Sequence, residues 1–183
     1  MSELMSLLRK RRSIRRFASR PVERELIEEC LEAARLAPSA ENSQPWRFVV
    51  VDETELKKRI CNAAFSGLYR VSRWAADAPV LVVALARLDI ITNRVGSLIQ
   101  GTQYYLLDMA IAGEHFVLKA TELGLGTCWI GWFNSRSLRR ALKLSRRFRI
   151  AYLLALGYPA ESPPSRSRKP LDEIGFFNTI PKD

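Results

Sequence analysis

Residues 103–133, QYYLLDMAIAGEHFVLKATELGLGTCWIGWF, join a long apolar helical pattern to a glycine-rich turn and then to a run of strand character. Tyr104, Leu107, Ile111, Leu118 and Leu123 recur at helical spacing, and Met109, Ala110, Ala112, Phe116, Val117 and Ala120 fill the other faces. A helix apolar nearly all round is a buried one. Asp108, Glu114, His115, Lys119 and Glu122 interrupt it too often for a membrane span, which needs about 20 predominantly apolar residues. The spacing therefore predicts a core helix. Gly113 permits close backbone approach, and Gly124 stands where a helix cap takes left-handed dihedrals that glycine adopts without strain. In a plainer reading Gly124 and Gly126 are turn residues only. A strand is expected over residues 127–133.

The chain has 183 residues, 48% of them apolar, which suits one domain with a full core. A net charge of +10 predicts attraction to anions: nucleic acid, acidic surfaces or phosphate-bearing small molecules. The charge falls in RKRRSIRR at 9–16, RSLRRALKLSRRFR at 136–149 and RSRK at 166–169. Cys30, Cys61 and Cys128 are odd in number and widely spaced, which argues against a disulfide framework or a zinc site and suits a reducing cytoplasm. Residues 1–20 are rich in arginine but lack the apolar run of about 7–15 residues of a secretion signal, while an Arg/Ser-rich transit peptide stays open. No segment is expected to span a membrane.

In chain order, residues 2–10 predict a short helix. Arginines 11, 12, 15 and 16 around Ser13 supply enough donors for a phosphate dianion, although such a run also suits a solvated face or a nucleic-acid patch. Helical spacing spans residues 22–37, and Pro38 stops it. PSAENSQPWRF at 38–48 is unusually polar for a connector and leads into a strand over 46–51. Asp52 with Glu55 predicts a capping box and a helix through residue 64. Residues 65–76 show no clear period. The apolar run at 79–86 predicts a strand covered on both faces, residues 87–100 carry no placeable pattern, and residues 148–156 predict another buried strand. Ser135 is expected to cap an amphipathic helix over 136–144 whose basic side is either solvated or partner-binding. From residue 160 on, prolines and serines predict an extended arm, and Ile174, Phe176 and Phe177 on it need a docking surface, most naturally another subunit.

His115 is the single histidine and lies mid-helix, so a histidine-based hydrolytic triad is not supported. Clustered metal ligands, a Walker loop and a Rossmann fingerprint are all missing, since Gly124-Leu125-Gly126 follows a helix and not a strand. Phosphate-binding arginines without a general base or nucleophile suggest that a cofactor brings the chemistry.

Four motifs then carry a resemblance in order: RRSIRRF at 11–17, APSAENSQPWRF at 37–48, ELGLGTCWIGWF at 122–133 and LGYPAESPPSRSRKPL at 156–171. Together they resemble the nitroreductase family of FMN-dependent oxidoreductases over nearly the whole chain. The resemblance implies an α+β fold with a mostly antiparallel central sheet flanked by helices, as an intertwined homodimer. It implies one domain over 1–183, with 160–183 docked on the partner subunit. Arg11, Arg12 and Ser13 match the residues that hold the FMN phosphate and ribityl chain, and Arg15 a basic position near ring or phosphate. Pro38, Ser39 and Ala40, with Asn42 nearby, match the segment that approaches FMN from the opposite subunit. Trp129, Ile130 and Gly131 match the backbone along the flavin ring, and Arg166 and Arg168 match tail positions that close on the phosphate.

The chain departs from the family at Trp132, where relatives often carry a small residue. Its indole either narrows the pocket above the flavin or points into the core. The function implied is ping-pong transfer, in which NADH or NADPH reduces FMN and an electron-poor acceptor such as a nitroaromatic or quinone is then reduced. No side chain need act as acid or base, and no metal, membrane or nucleic acid is implied. A specialised relative, such as a reductive dehalogenase or a flavin-consuming enzyme, is the nearest alternative. A basic nucleic-acid-binding protein is the alternative of another class, opposed by aromatic residues that lie in apolar strands and not among the basic runs.

Overall fold

The computed structural model describes residues 2–88 and 102–181. Strands β2 (Val80–Arg87) and β4 (Phe148–Gly157) form the centre of the sheet, because an apolar run without alternation needs cover on both sides. Residues 80–86 are each at most 3% exposed. β1 (Trp46–Val51) pairs with β2, and β3 (Gly126–Ile130) with β4. Every pairing is antiparallel, and the order is β1-β2-β4-β3.

Alternation along β2 sends Val80, Val82, Ala84 and Ala86 to one face and Leu81, Val83 and Leu85 to the other. The first face is covered by α2 (Arg24–Arg35) and α4 (Tyr104–Glu122) through Ile27, Cys30, Ala34, Met109 and Phe116. The second is covered by α3 (Thr54–Ala64), the 3-10 segment Gly67–Asp77 and α5 (Ser135–Ala141) through Ile60, Phe65, Ala75 and Leu138. This is the expected α+β layering. α1 (Glu3–Lys10) rests beside α4 and buries none of its residues.

The turn after α4 closes as the glycines predict. Leu125 N donates to Ala120 O at 2.8 Å and Gly124 N to Thr121 O at 3.2 Å, with Gly124 at φ 78°. That pair of bonds with a left-handed residue is the Schellman cap. At Gly113 a Cβ would lie 2.3 Å from both the Trp129 and Tyr152 side chains. Those rings meet at a 51° tilt with centroids 4.4 Å apart and lie directly on the helix, and Tyr152 donates its hydroxyl to Met109 O at 2.8 Å.

Several local expectations are corrected. The strand after the turn ends at Ile130, because Ser72 Oγ donates to Trp132 O at 2.9 Å and Asn134 N donates to Ala64 O at 2.7 Å, drawing the chain off the sheet. The α3 cap is Glu53, not Asp52: its carboxylate accepts the Glu55 and Leu56 amides at 2.7 Å each. α5 is capped by Asn134, which accepts Ser137 N at 3.0 Å, and it ends at Ala141. Arg139 does not sit on a solvated face; it donates to the carbonyls of Leu144, Ser145 and Phe148 and ties the end of α5 to β4. Residues 65–76 largely become the 3-10 segment, and most of 87–100 lies outside the described residues.

The largest correction concerns α4. Its C-terminal half is a core helix, but Leu106, Leu107 and Ile111 are exposed. Periodicity shows that a face must be covered without showing whether its own chain covers it. His115 behaves as a structural residue, its Nδ1 lying 3.2 Å from Ala33 O on α2. Among the described residues no helix is long and apolar enough to cross a membrane, and no group of His, Cys, Asp or Glu is placed to hold a metal ion.

Candidate functional site

After α1 the basic segment runs extended along β3. Ser13 forms a parallel bridge with Thr127, and Ile14 N donates to Thr127 O at 2.8 Å. In an extended chain successive side chains face opposite ways. Ile14 turns inward and is 6% exposed, packed so tightly on Gly126 that a Cβ there would lie 2.8 Å from it.

Arg11, Ser13 and Arg15 share the other side, which faces Cys128. Burial pushes the Cys128 thiol up, and the charge of Arg15, a Ser13 hydrogen bond and the charge of Arg11 pull it partly back. The thiol donates to Trp129 O at 3.6 Å and so remains a protonated core group. Arg15 also lies over the Trp74 ring, 5.7 Å from its centroid, and Arg11 Nε is 3.9 Å from Glu114.

Arg12 goes the way of Ile14. It donates to Pro164 O, leaves its Nε buried without a hydrogen-bond partner among the described residues, and lines a pocket of about 200 Å³ with Lys10, Thr121, Gly126 and Glu161. The structure therefore separates Arg12 from Arg11 and Ser13.

The start of the arm docks on this same segment. Ala160 N donates to Arg16 O at 2.9 Å, and Glu161 Oε1 accepts the backbone amides of Arg15 at 2.6 Å and Arg16 at 3.1 Å. Those amide bonds, Arg15 first, hold the Glu161 carboxyl below the usual range. Nothing in the sequence marks Glu161 for this. Arg166 and Arg168 stay on the exposed arm, with Arg168 bonded to the Arg166 and Ser167 carbonyls. No hydrogen bond among the described residues joins either to Arg11 or Ser13.

At the far end of β3, Trp129 is seated in the Gly113 notch and Ile130 is buried. The next residue is open: a Cβ on Gly131 would meet no atom within 4 Å. Trp132 is 57% exposed, so it does not point into the core. Its ring stands 5.2 Å from that of Tyr69 and its Nε1 donates to Leu68 O at 3.3 Å, bracing the 3-10 segment at the edge of the open backbone.

The 38–44 loop lies elsewhere on α4. It holds Glu41, Asn42 and Gln44 at φ 52°, 53° and 44°, the left-handed region that non-glycine residues seldom occupy. Gln44 N donates to Ser39 Oγ at 3.0 Å and Gln44 Nε2 to Asn42 Oδ1 at 2.9 Å. Asp108, 3% exposed, accepts Ala40 N at 2.9 Å and Ser43 Oγ at 3.4 Å. In the sequence Asp108 stood only as one of five polar interruptions of the helix, with nothing to set it apart from Glu114 or Glu122. Asp108 and Glu114 are six positions apart on α4, so they are separated by about 9 Å along the axis and about 120° around it. The loop and the basic segment thus attach to different faces of one helix.

A cofactor with a phosphate and a flat ring fits what one chain presents. Arg11, Ser13 and Arg15 offer an anion site, and the open backbone at Gly131 leaves room for a ring one strand-length away. Comparison with known proteins identifies the family. The Nitroreductase family model matches residues 8–158. An NADH dehydrogenase of Thermus thermophilus is 35% identical, over 90% of this chain and 91% of its own. The crystal structure of a nitroreductase family protein from Clostridium difficile 630 superposes with a TM-score of 0.83 at 31% identity, covering 98% of this chain and all of the other. An FMN-dependent nitroreductase from Clostridium difficile R20291 superposes at 0.77 with 27% identity, covering 96% and 99%. A match that runs from α1 through the end of β4, in both sequence and topology, leaves one assignment: the chain belongs to the nitroreductase family.

Proposed function

We propose that this protein is an FMN-dependent oxidoreductase that uses NADH or NADPH to reduce an electron-poor acceptor of nitroaromatic or quinone type. The observation that carries the reading is the common face of Arg11, Ser13 and Arg15 laid along β3, with an unobstructed backbone at Gly131 on the same strand's end. FMN, when bound, supplies the hydride chemistry, accepting from the nicotinamide and delivering to the acceptor. The chain's own residues bind and orient. Arg11 and Ser13 hold the phosphate through charge-assisted bonds, and Arg15 keeps a positive charge beside the ring end. Trp129, Ile130 and Gly131 supply a backbone edge held by the packing of Trp129 on Gly113 and the burial of Ile130 in the opposite layer. Arg12, turned away, anchors the arm through Pro164, and Arg166 and Arg168 reach the phosphate from that arm.

A homodimer completes the site. Leu106, Leu107 and Ile111 on α4, Leu4 and Leu8 on α1, and Ile174, Phe176 and Phe177 on the arm are exposed apolar residues that a second copy would cover. The attachment of the 38–44 loop to a different face of α4 from Arg11 supports its approach to the cofactor of the other subunit.

The test is direct. The purified protein should be yellow and release FMN, not FAD, on denaturation. Anaerobic titration with NADH and NADPH should bleach it, and a panel of quinones and nitroaromatics should restore the colour. A colourless protein that FMN does not reconstitute overturns the reading, as does salt-sensitive nucleic-acid binding in its place.

A further inference from the structure

Asp108 is a buried carboxylate in the apolar middle of the protein, beside Met109 and Ala112. Burying such a group is unfavourable unless its oxygens are satisfied. Its two oxygens are taken by one short stretch: Oδ1 by the Ala40 amide at 2.9 Å and Oδ2 by the Ser43 hydroxyl at 3.4 Å.

That stretch is the most strained backbone in the described chain. Glu41 and Asn42, between the two clamped residues, and Gln44, just beyond them, are three of the five non-glycine residues at positive φ. Strain of this kind persists only where the surroundings over-determine it, and it gathers at ligand-binding sites. The loop's internal bonds, Gln44 N to Ser39 Oγ and Gln44 Nε2 to Asn42, shape it without fixing its place on the body. The bonds to Asp108 do that.

We propose that Asp108 is a positioning residue: its buried carboxylate clamps the Ala40 amide and the Ser43 hydroxyl, holding Ser39, Ala40 and Asn42 in the strained turn that meets FMN. The inference rests on the FMN reading above. Asp108 touches no cofactor itself; it acts through the loop. The clamp also explains why a carboxylate stands there in place of a leucine, since a neutral apolar side chain would leave the Ala40 amide without an acceptor.

Two readouts test it on the intact protein. Hydrogen exchange measures the loop directly, and fluorescence quenching measures FMN affinity. Asp108→Ala should speed exchange in residues 39–44 while α4 and β3 stay protected, and it should weaken FMN by about tenfold or more, as expected for losing hydrogen bonds to a charged group. Asp108→Asn keeps one acceptor oxygen and the side-chain shape, so it should restore affinity to within about threefold of wild type. Unchanged exchange in 39–44, or a freed loop with unchanged FMN affinity, overturns the inference. Loss of protection throughout α4 overturns it too, since Asp108 would then serve only the fold. A wild-type protein that binds no FMN fails the underlying reading, whereas wild-type binding with an indifferent Asp108→Ala fails the positioning role alone.

Discussion

Gly126→Ala is the sharpest perturbation of the site, because Gly126 is where the basic segment crosses β3. The added Cβ would lie 2.8 Å from Ile14 Cγ1, 2.9 Å from its Cβ and 3.0 Å from its Cγ2. Ordinary contact begins at 3.4 Å, so Ile14 must retreat by about 0.6 Å. Because the Ile14 Cβ is itself one of the clashing atoms, a change of rotamer does not clear the contact. The backbone must move, and the 2.8 Å bond from Ile14 N to Thr127 O lengthens with it. Overpacking of this kind costs about 1–3 kcal/mol. For a chain of this length that lowers the melting temperature by roughly 2–12 °C. The same displacement carries Ser13 and Arg11 off their positions, and losing one charge-assisted bond weakens FMN about tenfold or more. Thermal unfolding of the FMN-free protein and fluorescence titration with FMN measure the two effects. Gly131→Ala is the control, since no atom lies within 4 Å of its Cβ. Its stability should stay within about 0.5 kcal/mol of wild type. A Gly126→Ala protein that melts with the wild type, or a Gly131→Ala protein that falls as far, refutes the placement of the segment.

Arg11→Ala should weaken FMN binding while Arg136→Ala, on the exposed side of α5, leaves it unchanged; equal dissociation constants remove Arg11 from the site. Arg139→Ala should instead lower the unfolding free energy measured in urea by about 1–3 kcal/mol with little effect on FMN, because it breaks the bonds that hold residues 144–148. The Tyr158 hydroxyl, and then Arg20, hold the Glu23 carboxyl at about 2, below its ordinary 4.5. A depressed carboxyl contributes stability that is present above 4.5 and lost as pH falls toward about 2, so Glu23→Gln should lose that contribution at neutral pH and show a flatter acid unfolding profile in that window. Trp132→Gly removes the prop from Tyr69 and Leu68, so trypsin should cut faster after Arg70 and Arg73 in the FMN-loaded protein, with a changed ratio of kcat/KM between bulky and compact quinones. Removing residues 160–183 takes away Glu161, Arg166, Arg168 and the arm's phenylalanines together. It should lower both FMN affinity and the dimer fraction seen by light scattering, and a monomer that keeps full affinity would place the whole site within one chain.

What was legible in the sequence follows from where the physics is local. β1 was read to the residue, since Trp46 to Val51 is a β-branched and aromatic run between a proline and an acidic cap. β2 and β4 were read within one residue at each end, because an unbroken apolar run that short has few alternatives. Gly124 announced its own left-handed cap. Choices among chemically equal neighbours were not legible: Asp52 and Glu53 are both able to cap α3, as are Ser135 and Asn134 to cap α5, and only the path of the backbone decides between them. Arg139 looked like every other arginine on its helix until the chain folded back and put three carbonyls in its reach.

The exposed side of α4 marks a second boundary, between what a chain needs and what it supplies. Leu107 and Ile111 repeat with the same spacing as the buried residues, so periodicity assigned them all to one core. Among the described residues only the face that meets α2 and the sheet is covered, and the remainder is apolar surface that a second copy would cover. The candidate site divides in the same way. The family resemblance grouped Arg11, Arg12 and Ser13 at one end of it, and the extended backbone instead sends Arg12 to the side opposite Arg11, Ser13 and Arg15. Its opposite wall depends on Asp108 and Ala40, 68 residues apart, which meet only after α2 and α4 have packed. Asp108, Glu114 and Glu122 look alike as carboxylates on one helix, and only the fold buries Asp108 against a strained loop while leaving the other two at the surface.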